Sequence, residues 1–121
     1  MRSPRVLVVE DEWVVALAFQ SHLEQIGCEV LGVARDADTA VDMARTLHPD
    51  VVLMDIGLAG SDGVEAIRGI MEEAPTRVIV VTAYGGERVE KALAAGARLA
   101  LTKPIAQEQL ARAIAAVMEK P

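Results

Sequence analysis

Glu10 and Asp11 follow directly on the apolar run Val6–Val9, and Asp55 closes "VVLMD" at 51–55. Thr82 closes "RVIVVT" at 77–82, and Lys103 follows "RLALT" at 98–102 and precedes Pro104. Three carboxylates, a hydroxyl and an ammonium thus stand where apolar segments end. Two carboxylates about 4 Å apart repel by roughly 1 kcal/mol in water and about 4 kcal/mol at an intermediate dielectric. Brought together, they need a cation among them. Oxygen ligands with room for water suit Mg²⁺, and Lys103 adds a second positive pole. A carboxylate between two positive poles, with a hydroxyl donor near, suits a phosphoryl group: the cations neutralise its oxygens and the carboxylate can attack phosphorus.

Such a cleft requires elements that bring the run ends together. Short apolar runs at 6–9, 30–34, 51–55, 77–82 and 98–102 alternate with helical patterns. Ala16, Phe19, Leu23 and Ile26 recur at helical spacing, and Gly27 suits the end of that helix. Asp36 can cap a helix carrying Ala40, Ala44 and Leu47. Asp62 and Glu65 have capping-box spacing before Val64, Ile67, Ile70 and Met71. A short fourth helix holds Val89, Ala92 and Leu93, with Gly96 after it. The last presents Leu110, Ile114, Val117 and Met118. Central strands apolar on both faces belong in a parallel sheet covered by helices on each side. Right-handed crossovers then give an open doubly wound α/β sheet, whose ligands bind beyond the carboxyl ends of the strands.

The chain of 121 residues suits a single domain, residues 1–121, and 52% hydrophobic residues can fill its core. The aromatics are Trp13, Phe19 and Tyr84, so Val, Leu, Ile, Ala and Met must do the filling. A net charge of −6 argues against a nucleic-acid or anionic-membrane surface and is compatible with cation binding. The single Cys28 excludes an internal disulfide, which fits a reducing, cytoplasmic location. No apolar run approaches the ~20 residues that span a bilayer.

The motifs "VLVVEDE", "DVVLMDIGLAGSDGVEAI", "VIVVTAY", "ALAAGA" and "LTKP", in that order, resemble the receiver domain of bacterial response regulators. The resemblance covers residues 4–119. It implies a flavodoxin-like (βα)5 sheet of five parallel strands in the order 2-1-3-4-5. It further implies that Asp55 is the phospho-acceptor, receiving phosphate from a histidine kinase or phosphotransfer protein of a two-component system. Glu10 and Asp11 match the acidic pair that holds Mg²⁺ with Asp55, and Gly57 would lend its backbone carbonyl. Thr82 matches the hydroxyl that moves to bond the phosphoryl oxygen, and Lys103 the ion-pairing lysine, with a cis Lys103–Pro104 bond. Output would pass through the face formed by the fourth helix, fifth strand and fifth helix. The protein would catalyse only its own phosphorylation and dephosphorylation.

Some positions depart from the family pattern. Glu10 stands where Asp is commoner, Ala59 where proline is frequent, and Ala100 where most receivers carry a switch Tyr or Phe. Tyr84, two residues after Thr82, is similar to the tyrosine of the FATGY-motif receiver subgroup, although Val80 and Ala83 differ from that motif. Tyr84 is therefore expected to report the phosphorylation state. Trp13 starts a helix near the expected cleft. Leu99, Leu101 and Val89 can form a common core cluster. Two rival readings are an Mg²⁺-dependent small-molecule phosphotransferase or phosphatase and a non-phosphorylated scaffold. The first lacks a second aspartate at position 57; the second does not explain why the acidic pair, Asp55 and Lys103 are all present.

Overall fold

The computed structural model describes residues 3–57, 62–83 and 85–119. The elements are β1 (Arg5–Val9), α1 (Trp13–Gln25), β2 (Glu29–Ala34), α2 (Ala37–Leu47), β3 (Val51–Asp55), α3 (Gly63–Glu73), β4 (Arg77–Thr82), α4 (Glu87–Ala95), β5 (Leu99–Thr102) and α5 (Gln107–Glu119). All four strand pairings are parallel, in the order β2-β1-β3-β4-β5. The expected strand runs and the flavodoxin-like order are thus present.

Alternation along each strand sends neighbouring side chains to opposite faces. Leu7, Val9, Val52, Met54, Val78 and Val80 pack with α2, α3 and α4 through residues such as Ala44, Ile67, Ile70 and Ala92. Val6, Val8, Val51, Leu53, Ile79 and Val81 pack with α1 and α5 through Phe19, Leu23, Leu110 and Ile114. This two-sided cover is why β1, β3 and β4 read as unbroken apolar runs.

Local chemistry sets the helix ends. The Asp36 side chain accepts from the Thr39 N–H at 2.8 Å, as a capping residue should. Asp62 caps α3, but its carboxylate accepts from the Val64 N–H at 2.9 Å, and Glu65 pairs with Arg68 one turn on. The capping box is therefore incomplete, because an arginine on the same face competes for the glutamate. Gly96 ends α4 at φ 125°, a conformation open to glycine. Leu93 is exposed rather than core, since the short α4 buries only Ala92 fully and leaves Val89 half-buried. Val89 also lies across the sheet from Leu99 and Leu101, so these three do not share one cluster. Among the described residues, no helix is long and apolar enough to cross a membrane.

Candidate functional site

The carboxyl ends of β1, β3, β4 and β5 lie side by side because these four strands are consecutive in the sheet. Glu10 follows β1, and its N–H donates to the Ala34 carbonyl at 2.9 Å. Asp55 is the last residue of β3 and stands opposite Val81 in the register, one residue before Thr82 on β4. Thr82 stands opposite Thr102, and the Lys103 N–H donates to the Thr82 carbonyl at 2.8 Å. The ladder thus carries Lys103 past the strand end, and the cis Lys103–Pro104 bond follows it.

The Lys103 Nζ donates to Glu10 Oε1 at 2.9 Å and to Asp55 Oδ2 at 3.1 Å. The other oxygens are held by backbone. Glu10 Oε2 accepts from the Glu12 N–H at 3.1 Å, and Asp55 Oδ1 accepts from the Gly57 N–H at 2.8 Å. Glu10, Asp55 and Thr82 are buried, with 1, 6 and 7% of their surface exposed. These exposures place the acids and hydroxyl in the body of the protein, not on a solvated rim. Asp11 is half-buried above them, and Arg35 donates to its backbone carbonyl at 3.1 Å.

Desolvation raises the Glu10 carboxyl above its ordinary range. The Asp55 charge adds to this, while hydrogen bonds from Lys103 and the Glu12 N–H act against it. For Lys103, burial on its own favours the neutral amine. The hydrogen bonds to Glu10 and Asp55, with the charges of both carboxylates, outweigh that and raise the ammonium above its ordinary value. One cation is therefore shared between two buried acids.

Glu10, Asp11 and Asp55 can each offer a carboxylate oxygen, all within 4.8 Å of one another. An oxygen-only donor set beside a single ammonium leaves negative charge to be balanced, which fits a hard divalent ion such as Mg²⁺.

The structure brings the expected residues Glu10, Asp11, Asp55, Gly57, Thr82 and Lys103 to one end of the sheet. Gly57 adjoins Asp55 closely: a Cβ there would meet Asp55 Oδ1 at 3.3 Å. Tyr84 lies outside the described residues. Ala100 is exposed on β5, so the position where most receivers carry an aromatic offers only a methyl group at the surface. Trp13 starts α1 and is exposed, as are Val14 and Leu17. One contact has no sequence signal: Arg88, on the first turn of α4, donates to the Ile56 carbonyl at 2.7 Å. A pairing across 32 residues leaves no local pattern to read.

Comparison with known proteins agrees with this geometry. The response regulator receiver domain family matches residues 6–115. Protein-glutamate methylesterase/protein-glutamine glutaminase 3 of Myxococcus xanthus is 43% identical over 108 residues, covering 85% of this chain and 30% of that protein. The chain spans 30 to 54% of the length of the first curated relatives it matches. The response regulator domain of Thermotoga maritima CheB is 35% identical with a TM-score of 0.82, covering 98% of this chain and 96% of that one. A chain of the CheX–CheY–BeF3–Mg²⁺ complex from Borrelia burgdorferi is 25% identical with a TM-score of 0.87, covering 94 and 88%. With the family matched over most of its length, the chain belongs to the response regulator receiver domains.

Proposed function

We propose that this protein is a phospho-acceptor signalling switch of a two-component system, with Asp55 as the acceptor. The observation that carries the reading is the ammonium of Lys103, 2.9 Å from Glu10 and 3.1 Å from Asp55, within the acidic cluster. A carboxylate oxygen of Asp55 forms a bond to phosphorus as the P–N bond of a phosphohistidine breaks. The departing imidazole keeps the electron pair and is protonated. Lys103 balances the added charge, and the Thr82 hydroxyl bonds a phosphoryl oxygen. Asp11 and Asp55, with Glu10 and the Gly57 carbonyl, would hold Mg²⁺, which supplies charge neutralisation for the phosphoryl oxygens when bound.

A protein donor fits the surroundings. Trp13, Val14 and Leu17 expose apolar surface on α1, and Val14, Val15, Ala18 and Pro104 line a groove that reaches Lys103. Apolar surface beside a charged site suits a macromolecular partner such as a histidine kinase or phosphotransfer protein. The chemical state of Asp55 then shifts the population of the α4-β5-α5 face toward the form its downstream partner prefers. Tyr84 serves as the aromatic reporter, so Tyr84→Ala should keep Asp55 phosphorylation and lose partner response. In this reading residues 1–121 form one receiver domain and work in the cytoplasm.

Incubation with a small phosphodonor and Mg²⁺, followed by intact-mass measurement, tests the acceptor. Wild type should gain one phosphoryl group and Asp55→Asn none. Equal labelling of the two, or no labelling of either, would overturn the reading.

A further inference from the structure

Arg88 and Asp55 belong to different elements, yet one peptide unit joins them. The guanidinium of Arg88 donates to the Ile56 carbonyl at 2.7 Å. That carbonyl shares its planar amide with the Gly57 N–H, which donates to Asp55 Oδ1 at 2.8 Å. A charged donor on the carbonyl oxygen fixes the tilt of the amide plane and polarises its N–H, strengthening the bond at the other end. The far side of the same carboxylate, Oδ2, is held by Lys103 at 3.1 Å. The Asp55 carboxylate is thus oriented from both oxygens, one by the lysine directly and one by α4 through the backbone.

We propose that Arg88 is a positioning residue for the acceptor, acting through the Ile56–Gly57 peptide. The inference rests on the reading of Asp55 as the phosphorylated residue. A surface ion pair does not account for the placement of Arg88. The second partner of Arg88 is Asp62 at 3.7 Å, and both side chains are more than half exposed, so that ion pair contributes little. The bond to the Ile56 carbonyl instead reaches the main chain beside a buried nucleophile. It also ties α4, part of the expected output face, to the peptide whose N–H holds the Asp55 carboxylate. What changes at Asp55 Oδ1 changes the peptide to which α4 is tied.

The test compares wild type with Arg88→Ala and Arg88→Lys as full chains. The first readout is the rate of Asp55 labelling by acetyl phosphate with Mg²⁺. The second is the Gly57 amide resonance in metal-free protein, which reports the hydrogen bond to Asp55 without any phosphorylation. Arg88→Ala should slow labelling by about five- to tenfold, the scale of one hydrogen bond, in protein that is still fully folded at the assay temperature. It should shift the Gly57 amide proton upfield. Arg88→Lys, which keeps a charged donor, should recover much of both. An unmoved Gly57 resonance in Arg88→Ala overturns the proposal, as does a loss of rate that merely follows a loss of folded protein. If wild type itself takes no phosphoryl group, the acceptor reading fails, while the Gly57 resonance still decides whether Arg88 orients the carboxylate.

Discussion

At the residue scale, the site holds two buried carboxylates on one ammonium. Removing that ammonium leaves both acids without a cation, and an uncompensated buried charge is costly. Lys103→Met in metal-free buffer at neutral pH should therefore lose about 3 kcal/mol of stability in urea unfolding, with a loss below about 1 kcal/mol counting against the shared-cation picture. Glu10 adds a pH dependence. Its carboxyl is raised above 4.5, first by burial, so between 4.5 and the folded value the folded chain binds more protons than the unfolded one. Stability then falls as pH rises through that window, and the full cost is present above it. Relative to Glu10→Gln, metal-free wild type should gain stability as pH is lowered from 7 towards 4.5. Denaturant curves along that series check the sign; a relative loss on acidification contradicts it. The acid pair, Asp55, Thr82 and Lys103 were legible as residue types at run ends. The bonds that engage both oxygens of Glu10 and Asp55 were not, because two come from Lys103, distant in sequence, and two from backbone amides whose direction only the fold sets.

At the element scale, β1, β3, β4 and β5 end side by side at one end of the sheet, while α1 and α4 border that end from different sides. The start of α1 exposes Trp13, Val14 and Leu17 although its other face is buried through Ala16, Phe19 and Leu23. If that surface receives the donor protein, Val14→Asp should slow phosphotransfer from the protein donor by about fivefold or more, the effect of a charge placed in an interface. Labelling by a small phosphodonor should be unaffected; equal slowing with both donors would point to damage at Asp55 instead. Strand runs were legible in detail, since a buried parallel strand is apolar throughout and ends where polarity begins. Helix faces were less so. Leu93 has helical spacing with Val89 and Ala92 but sits at the edge of a nine-residue helix that cannot bury so wide a stripe. Glu65 has capping-box spacing, but Arg68 takes it.

At the scale of the whole molecule, a sheet covered on both faces supports an acidic cleft that the chain's net charge of −6 does nothing to relieve. A cation bound only by the folded form must then stabilise the entire domain by mass action. Mg²⁺ at a hundredfold excess over its dissociation constant should add about 2.7 kcal/mol to wild-type stability and clearly less to Asp11→Asn, measured by urea unfolding. An equal gain in both proteins would place the ion elsewhere. The amino-acid order by itself determined the alternation of strands and helices, the two-faced core and the set of groups able to handle a phosphoryl group. These are statements about periodicity and residue type, which local physics reads directly. Only the tertiary structure decided that Lys103 spans Glu10 and Asp55, that Val89 and Leu99 lie on opposite faces, and that Arg88 reaches the peptide beside Asp55. Each of those joins residues distant in sequence, and such pairings are chosen by how the packed helices and sheet close on one another, not by any pattern along the chain.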